Sequence, residues 1–186
     1  EMKEREDVLS GLGFAPPPVA PLPAAAATIE PVLHSFAYCL DYLREQVSDI
    51  EAAEMVAQPF GIVNHPAWVI GHLTHTCQLL GGVLGVPEWL PESWARLYGT
   101  GSVPVADASR YENKARALGI LRDAQSRLVS AVRRTDDFQL DEPFPERSYR
   151  DVFPTVRHAL TQVLVGHTAN HVGQVSVWRR AVGLPP

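Results

Sequence analysis

Cysteines and long apolar runs are scarce in this sequence. The 186 residues include only Cys39 and Cys77, too few for the disulfide framework of a small secreted domain. Both lie in apolar helical patterns, so we expect buried free thiols. No apolar run approaches the roughly 20 residues that cross a bilayer. Residues 1–7 lack the basic start and apolar middle of a signal peptide, so we expect a cytoplasmic protein without a membrane partner.

Clustered positive charge is also missing from the sequence. Lys and Arg number 16 against 21 Asp and Glu, which gives a formal net charge of -5 at pH 7. Binding to a phosphate backbone requires clustered basic side chains, so we expect no nucleic-acid partner. Hydrophobic residues make up 46% of the chain, enough for one well-packed domain but not for two large ones.

Proline and alanine dominate residues 14–27, which read FAPPPVAPLPAAAA. Proline removes backbone donors and blocks helix growth. Residues 1–27 are therefore predicted to form a flexible arm. Helix signals are strong from Thr28 onward, with Thr28 as a predicted N-cap and Pro31 in the first turn. Residues 28–186 are predicted to form one domain.

The domain carries apolar residues at helical spacing, and no segment shows the alternation that is typical of a strand. Two long loops, 88–106 and 136–151, separate the later helical segments, and loops of this length favour crossover connections in a bundle. The sequence thus predicts an all-α four-helix bundle. Its predicted helices are residues 30–48, 66–84, 109–134 and 154–182, with a short additional helix near 91–98.

Two histidines in the fourth predicted helix, His167 and His171, are spaced at i and i+4. Side chains at this spacing lie on one helical face with Cβ atoms about 6 Å apart, so both rings can reach one metal ion. Burying an imidazole without a partner costs about 1–3 kcal/mol, and either a metal or hydrogen-bonding neighbours would avoid that cost. The pair continues an apolar stripe and therefore faces the core; the stripe comprises Leu160, Leu164, Val175 and Trp178.

The second predicted helix offers two more histidines, His72 and His75, on the face that also carries Trp68 and Leu79. One of them would complete a set of three protein ligands with an open position, the arrangement of catalytic metal sites. A fourth ligand, such as His75, would instead close the site and favour a non-catalytic role. His75 is also a candidate for a proton shuttle or for a residue that supports a ligand.

The helix-four motif contains no carboxylate. Zinc metalloproteases use His-Glu-x-x-His with the Glu as general base, whereas Thr168 follows His167 here. Peptide hydrolysis by that route is not expected. Gln174 and Asn170 are candidates to orient an imidazole through its second nitrogen. The pair Arg179 and Arg180 either binds a substrate carboxylate or stabilises the helix end.

Two motifs together resemble a known family. Residues 64–73 read NHPAWVIGHL and resemble the N-x-x-x-W-x-x-x-H-L signature of helix two in the DinB-like superfamily. A second set of residues resembles the helix-four signature of the same family. It comprises His167-x-x-x-His171-x-Gly173-Gln174, Arg179-Arg180 and Gly183-Leu184-Pro185. The resemblance covers about residues 30–186.

This resemblance implies a bundle with up-down-down-up connectivity and a divalent metal held by His72, His167 and His171. Many relatives carry an acidic residue or a further histidine inside the helix-four motif, which this chain lacks. Characterised relatives include S-transferases and isomerases that use bacillithiol or mycothiol, and a domain of ergothioneine-forming enzymes. Relatives are often dimers, so a homodimer is an expected assembly.

Three functions follow as hypotheses. The first is a metal-dependent transferase that joins a low-molecular-weight thiol to a small electrophile, because a divalent cation favours the nucleophilic thiolate. The second is a metal-binding stress protein without turnover. The third is a metal-dependent hydrolase of small molecules that uses bound hydroxide. Three imidazoles accept Zn, Ni, Co, Fe or Mn, so the sequence does not select the metal.

Overall fold

A computed structural model describes residues 29–185, in which the secondary structure is helical and contains no strand. An isolated bridge joins Pro143 and Thr155. The prediction of an all-α protein is confirmed. The predicted arm, residues 1–27, and the predicted N-cap Thr28 lie outside the described residues. None of the described helices is long and apolar enough to cross a membrane.

The long helices agree closely with the predicted segments. The first two match to within one residue, and the short helix lies where it was expected near residue 95. The described α-helices are α1 (Glu30–Ser48), α2 (Pro66–Val83), α3 (Ser93–Tyr98), α4 (Lys114–Arg134), α5 (Asp137–Leu140), α6 (Val156–Thr161) and α7 (Thr168–Ala181). A π-helical segment, Gln162–His167, joins α6 to α7 without a break.

Two predicted helix starts were too early. The third long helix was predicted from residue 109, but residues Ala108–Arg110 form a separate 3₁₀ turn. Helix α4 begins after Asn113, whose side chain accepts a hydrogen bond from the Arg116 N–H and so caps the first turn. Helix α6 begins after Thr155, which caps in the same way through the His158 N–H.

Helix α2 lies at the centre of the fold. His65 occupies its N-cap position and accepts a 3.2 Å hydrogen bond from the Trp68 N–H. Pro66 follows in the first turn, where a missing N–H is harmless. Most of the helix is buried, including Val69, Ile70 and Leu73. It packs against α4 on one side and α7 on another.

Hydrogen bonds between the long helices show which ends lie side by side. Lys114, at the start of α4, donates a 2.8 Å hydrogen bond to the Ser48 carbonyl at the end of α1. At the other end of the pair, Arg133 forms a two-pronged 2.9 Å ion pair with Glu30. Helices α1 and α4 are therefore antiparallel.

The ends of α1 and α7 are joined by Arg179, which is only 4% exposed. Its guanidinium forms an ion pair with the Asp49 carboxylate at 2.5 and 2.9 Å. It also donates to the backbone carbonyls of Gln46 and Pro185. Of the two alternatives predicted for the arginine pair, Arg179 therefore has the structural role. Its charge is engaged within the fold.

The two cysteines differ in environment. Both are free thiols; Cys77 is buried, as predicted, whereas Cys39 is half-buried. Burial raises the pKa of the Cys77 thiol to about 12, so this thiol stays protonated and unreactive at neutral pH. The prediction of burial was wrong for Cys39, because it lies at the edge of the inner stripe of α1 rather than on it.

Candidate metal centre

Three histidines converge between α2 and the long helix at the end of the chain. His72 lies on α2, His167 is the last residue of the π segment, and His171 lies one turn into α7. One nitrogen from each ring can be chosen so that all three lie within 4.8 Å of one another. Ring centroids are 4.5 Å apart for His72–His171 and for His167–His171, and 5.1 Å for His72–His167. The structure thus brings together the three residues that the sequence singled out.

One hydrogen bond and one stacked ring hold the His72 side chain in place. Its Nδ1 atom donates a 2.6 Å hydrogen bond to the Tyr98 backbone carbonyl. Because a carbonyl can only accept, the proton is on Nδ1 and the Nε2 lone pair is free. Trp68, one turn earlier on α2, stacks on the ring at 4.6 Å with an interplanar angle of 11°. The ring therefore presents Nε2 to the other two histidines.

The position of Tyr98 depends on Gly71, the residue before His72. A Cβ atom built on Gly71 would lie 2.0 Å from the Tyr98 ring, far inside van der Waals contact. Tyr98 is only 2% exposed, and Trp94 packs against its ring at 4.7 Å, so the ring has no room to move aside. The glycine therefore admits the aromatic ring, and the ring brings its own carbonyl to His72.

Sequence reasoning missed Tyr98, because a backbone carbonyl leaves no residue-type signal. One available sign was a glycine inside a helix, next to a candidate ligand, where glycine costs about 1 kcal/mol relative to alanine. A crossover loop with a short aromatic-rich helix was a second sign, since long loops in compact domains often form parts of functional sites.

His171 is oriented by Gln174, as the sequence suggested. Its Nδ1 atom lies 2.9 Å from Gln174 Oε1. The same amide oxygen accepts a 3.0 Å hydrogen bond from Asn64 Nδ2, which lies just before α2. Asn64 is the first residue of the helix-two motif, and its contact with Gln174 was not predicted. The chain of amides fixes Gln174 with its oxygen toward the ring, so the Nε2 lone pair of His171 is free.

His167 has no such support. Its Nε2 atom lies 3.1 Å from His72 Nε2, while its Nδ1 atom is buried and makes no hydrogen bond with any residue that the structure describes. A buried imidazole nitrogen without a partner is uncommon and costs free energy. The ring is therefore directed at His72 by its backbone rather than by an acceptor on its far side.

The three imidazoles are uncharged at neutral pH. Burial lowers the pKa of His72, against the opposing effect of the Tyr98 carbonyl. Burial and the neighbouring His72 lower the pKa of His167 to about 4. Burial, His72 and His167 lower the pKa of His171 to about 4 as well. Neutral imidazole is the form that binds a metal ion, so the environment prepares all three rings for coordination.

The other predicted candidates lie outside the cluster. His75 is buried, 6% exposed, and its pKa is lowered by burial and by His72, but it does not belong to the group whose nitrogens converge. Asn170 is exposed on α7. Over residues 29–185, no carboxylate and no thiol joins the three histidines within the same distance.

A surface groove of about 560 Å³ adjoins the site through Gln174. It runs between α7 and the residues that precede α2. Neutral amides from Asn64, Asn170 and Gln174 face it, together with the aliphatic side chains of Ile62 and Val177, and none of the described residues that line it is charged. Its size suits a small molecule. Its lining suits an uncharged ligand or an uncharged part of a ligand.

The donor set fits a divalent metal ion. The protons of His72 and His171 lie on the outer nitrogens, so the Nε2 lone pairs of these two rings point inward. The Nε2 atoms of His72 and His167 lie 3.1 Å apart, a distance that requires a proton or a cation between them. The outer nitrogens of His72 and His171 are each held by an oxygen, as is common for histidine ligands. The residues present thus match a three-histidine site.

Comparison with known proteins identifies the fold and the family of the chain. A crystal structure of a conserved protein from Enterococcus faecalis is similar with a TM-score of 0.68 and 16% identity, over 85% of this chain and 98% of that one; at this identity the likeness shows the fold alone. No curated protein matches at a significant level. The sequence model of the DinB superfamily matches residues 35–175. This range is about three quarters of the sequence and includes all three histidines. The chain belongs to the DinB superfamily.

Proposed function

We propose that His72, His167 and His171 bind one divalent metal ion, and that the protein is a transferase that joins a low-molecular-weight thiol to a small electrophile. The observation that carries the metal site is the convergence of three imidazole nitrogens within 4.8 Å. Imidazole accepts several borderline metals, so Zn, Ni, Co, Fe and Mn are all compatible with this set.

An open coordination position supports a role beyond structure. Structural zinc sites use four protein ligands, whereas catalytic sites use three and leave one position for water or substrate. Within the described residues the cluster contains three histidines and no fourth ligand. His75, the candidate that would have closed the site, lies outside the group.

A thiol cofactor suits the open position. When bound, a divalent cation lowers the pKa of a thiol and so increases the share of thiolate, the nucleophilic form. Tyr98 and Gln174 hold the His72 and His171 rings from behind, which keeps the front nitrogens directed inward. Neither cysteine of the described chain belongs to the cluster, so the sulfur has to come from a separate molecule.

The uncharged groove beside Gln174 supports a small electrophile as the second substrate. Its amides can hydrogen-bond to polar atoms of such a molecule, and Ile62 and Val177 offer apolar contact. A hydrolase is less well supported, because no carboxylate lies among the converging residues to act as a base. A metal-binding protein without turnover is the second candidate; the low exposure of His72 and His171, 6% and 8%, favours it.

We also infer up-down-down-up connectivity for the four long helices. Helices α1 and α4 are antiparallel, as described above. Asn64, before α2, meets Gln174, while the later residue His72 meets the earlier residue His167, which indicates that α2 and α7 are antiparallel too. Gln46 bonds to Ser176 and α1 also packs on the π segment, which favours parallel α1 and α7.

Metal content by mass spectrometry tests the first part of the proposal. Protein purified without a chelator or a histidine tag is expected to carry about one ion per chain. His72→Ala and His167→Ala should both lose it. His34→Ala is the matched control, because His34 is exposed on α1, and it should keep the ion. Metal that stays in both triad variants would contradict the proposed site.

X-ray absorption at the metal edge tests the thiol. A sulfur neighbour at about 2.3 Å from a bound zinc ion is expected after a low-molecular-weight thiol is added. The signal cannot come from Cys77, which is buried away from the cluster. No sulfur neighbour, together with no transfer to model electrophiles, would favour the non-catalytic candidate. Substrate cleavage that needs no thiol would favour the hydrolase.

A further inference from the structure

The last long helix changes its hydrogen-bonding register next to the histidines. Between α6 and α7, residues Gln162–His167 form a π-helical segment, whose backbone bonds span five residues instead of four. The Thr168 N–H donates to the Val163 carbonyl across this wide turn. In an α-helix the Val163 carbonyl would receive the His167 N–H instead. Wide turns of this kind are rare and are often found at functional sites.

The Thr168 side chain repeats the bond of its own backbone. Its hydroxyl donates a 3.0 Å hydrogen bond to the same Val163 carbonyl, five residues back. Elsewhere in the protein, Thr74 and Thr135 bond in the ordinary way to the carbonyl four residues back, at 2.8 and 2.9 Å. Thr168 is 1% exposed. Its hydroxyl therefore adds a second bond that exists only in the wide register.

The wide turn keeps one face of the helix pointed inward. Leu160, Leu164, Thr168 and Val172 are buried and follow one another at intervals of four residues. Four residues of an α-helix turn about 400°, so each interval would move the buried face by about 40°, or roughly 120° over the series. A wider turn absorbs part of this drift. Without it, the part of the helix before Thr168 and the part after it would not both face α1, against which the π segment and α7 both pack.

His167 depends on this turn more than its two neighbours do. The outer nitrogens of His72 and His171 are held by Tyr98 and Gln174, whereas the outer nitrogen of His167 has no partner among the described residues. His167 is the last residue of the π segment. The backbone conformation there is consequently what directs its ring toward His72.

We propose that Thr168 is a positioning residue, whose hydroxyl holds the wide turn and thereby directs His167 to the metal. The effect of Thr168 on metal binding rests on the proposed metal site, whereas its effect on the wide turn does not. It assigns a role to the position between the histidines at which this chain has a threonine instead of an acidic residue. The threonine acts on the shape of the site rather than as a base.

Zinc affinity of three variants tests the consequence. Thr168→Val keeps the side-chain shape, removes the hydroxyl and leaves the Val163 carbonyl with its backbone bond. We expect its zinc affinity, measured by competition with a chelating dye, to fall by about 10-fold, the lower end for residues that support a ligand. Thr168→Ser should stay within about 3-fold of the wild type. Thr135→Val loses an ordinary hydroxyl bond at the C-terminal end of α4 and should bind zinc normally.

Hydrogen exchange in the metal-free protein tests the turn independently. Amides of residues 163–168 should exchange at least about 10-fold faster in Thr168→Val than in the wild type or in Thr168→Ser, while amides of 172–178 stay protected. Unchanged exchange overturns the proposal, and so does changed exchange with unchanged zinc affinity. If the wild type binds no metal, the proposed function fails and exchange alone decides whether Thr168 holds the turn. If Thr168→Val does not fold, Thr168→Ala replaces it in both measurements.

Discussion

The Nδ1 atom of His72 donates a 2.6 Å hydrogen bond to the backbone carbonyl of Tyr98, 26 residues further along the chain. This bond connects the central helix to the crossover loop. It also fixes which ring nitrogen of His72 carries the proton. The carbonyl reaches the ring because the Tyr98 side chain lies directly on Gly71. The orientation of a candidate ligand therefore depends on the absence of one side chain at the preceding residue.

The substitution Gly71→Ala should disturb both stability and metal binding. The new Cβ would lie 2.0 Å from a buried ring, and overpacking of this kind costs about 1–3 kcal/mol. Displacing Tyr98 would also pull its carbonyl away from His72. Urea unfolding of the metal-free protein measures the first effect, and zinc competition measures the second, for which we expect about a 10-fold loss.

Gly82→Ala is the matched control, because it lies on the same helix and nothing comes within 4 Å of its added Cβ. Alanine is the better helix former, so this variant should be as stable as the wild type or more stable by up to about 1 kcal/mol. Equal stability of the two variants would show that the Tyr98 ring moves aside at no cost, contrary to the packing argument.

Gln174→Ala should weaken metal binding without unfolding the protein. It removes the acceptor for the His171 Nδ1 proton, and loss of such supporting groups lowers metal affinity about 10- to 100-fold. Asn64→Ala should have a smaller effect in the same direction, because it only orients the Gln174 amide. Isothermal titration with zinc provides the affinities.

Asn170→Ala serves as the comparison for Gln174. Asn170 is exposed on the same helix and faces the groove, so its zinc affinity should match that of the wild type. A loss as large as that of Gln174→Ala would mean that the groove amides act on the metal together, and would restore Asn170 to the supporting role that the sequence suggested.

The sequence predicted the residues of the site better than their supports. His167 and His171 were identifiable because imidazoles at helical spacing on an apolar face carry both a chemical and a periodic signal. Spacing alone left His72 and His75 as alternatives, and the resemblance to the family selected His72. Gln174 followed from its position one turn after His171. Tyr98 could not be predicted, since the atom that acts is a carbonyl and its partner lies in a crossover loop.

The π segment was missed for a different reason. A wide turn changes the helical phase by one residue, and buried positions four residues apart are compatible with either register in a short window. Thr168 appeared only as a departure from the family motif. Its role depends on a carbonyl five residues back, which no residue-type pattern marks. Local hydrogen bonding, rather than composition, decides this part of the helix.

Arg179→Ala should destabilise the fold while leaving the metal site intact. The guanidinium is buried and joins Asp49 at the end of α1 to the end of α7. Its loss also removes the donor to the Gln46 and Pro185 carbonyls. A hydrogen bond to a charged group contributes about 1.5–3 kcal/mol, and we expect a loss of stability of about this size. Arg180 is exposed, so the free energy of unfolding of Arg180→Ala should stay within about 0.5 kcal/mol of the wild-type value. Urea unfolding distinguishes the two, and metal loss in folded Arg179→Ala would contradict a purely structural role.

The metal-free protein should lose stability as the pH falls from about 6.5 toward 4. His167 and His171 have folded-state pKa values of about 4, below their ordinary value of 6.5. In that window the unfolded chain binds protons that the folded chain does not, so stability rises with pH and is complete above about 6.5. One such group contributes up to about 1.4 kcal/mol per pH unit, and the coupling of the two rings reduces the sum.

The measurement compares urea unfolding of the wild type and the double variant His167→Gln/His171→Gln at pH 7.5 and pH 5, both with chelator. The difference in unfolding free energy between the two proteins removes the contribution of all other titrating groups. We expect the wild type to lose about 1–3 kcal/mol relative to the variant at the lower pH. A difference that does not change with pH would mean that the two rings accept protons as readily in the folded protein as in the unfolded chain. Burial and mutual proximity would then not keep the site neutral.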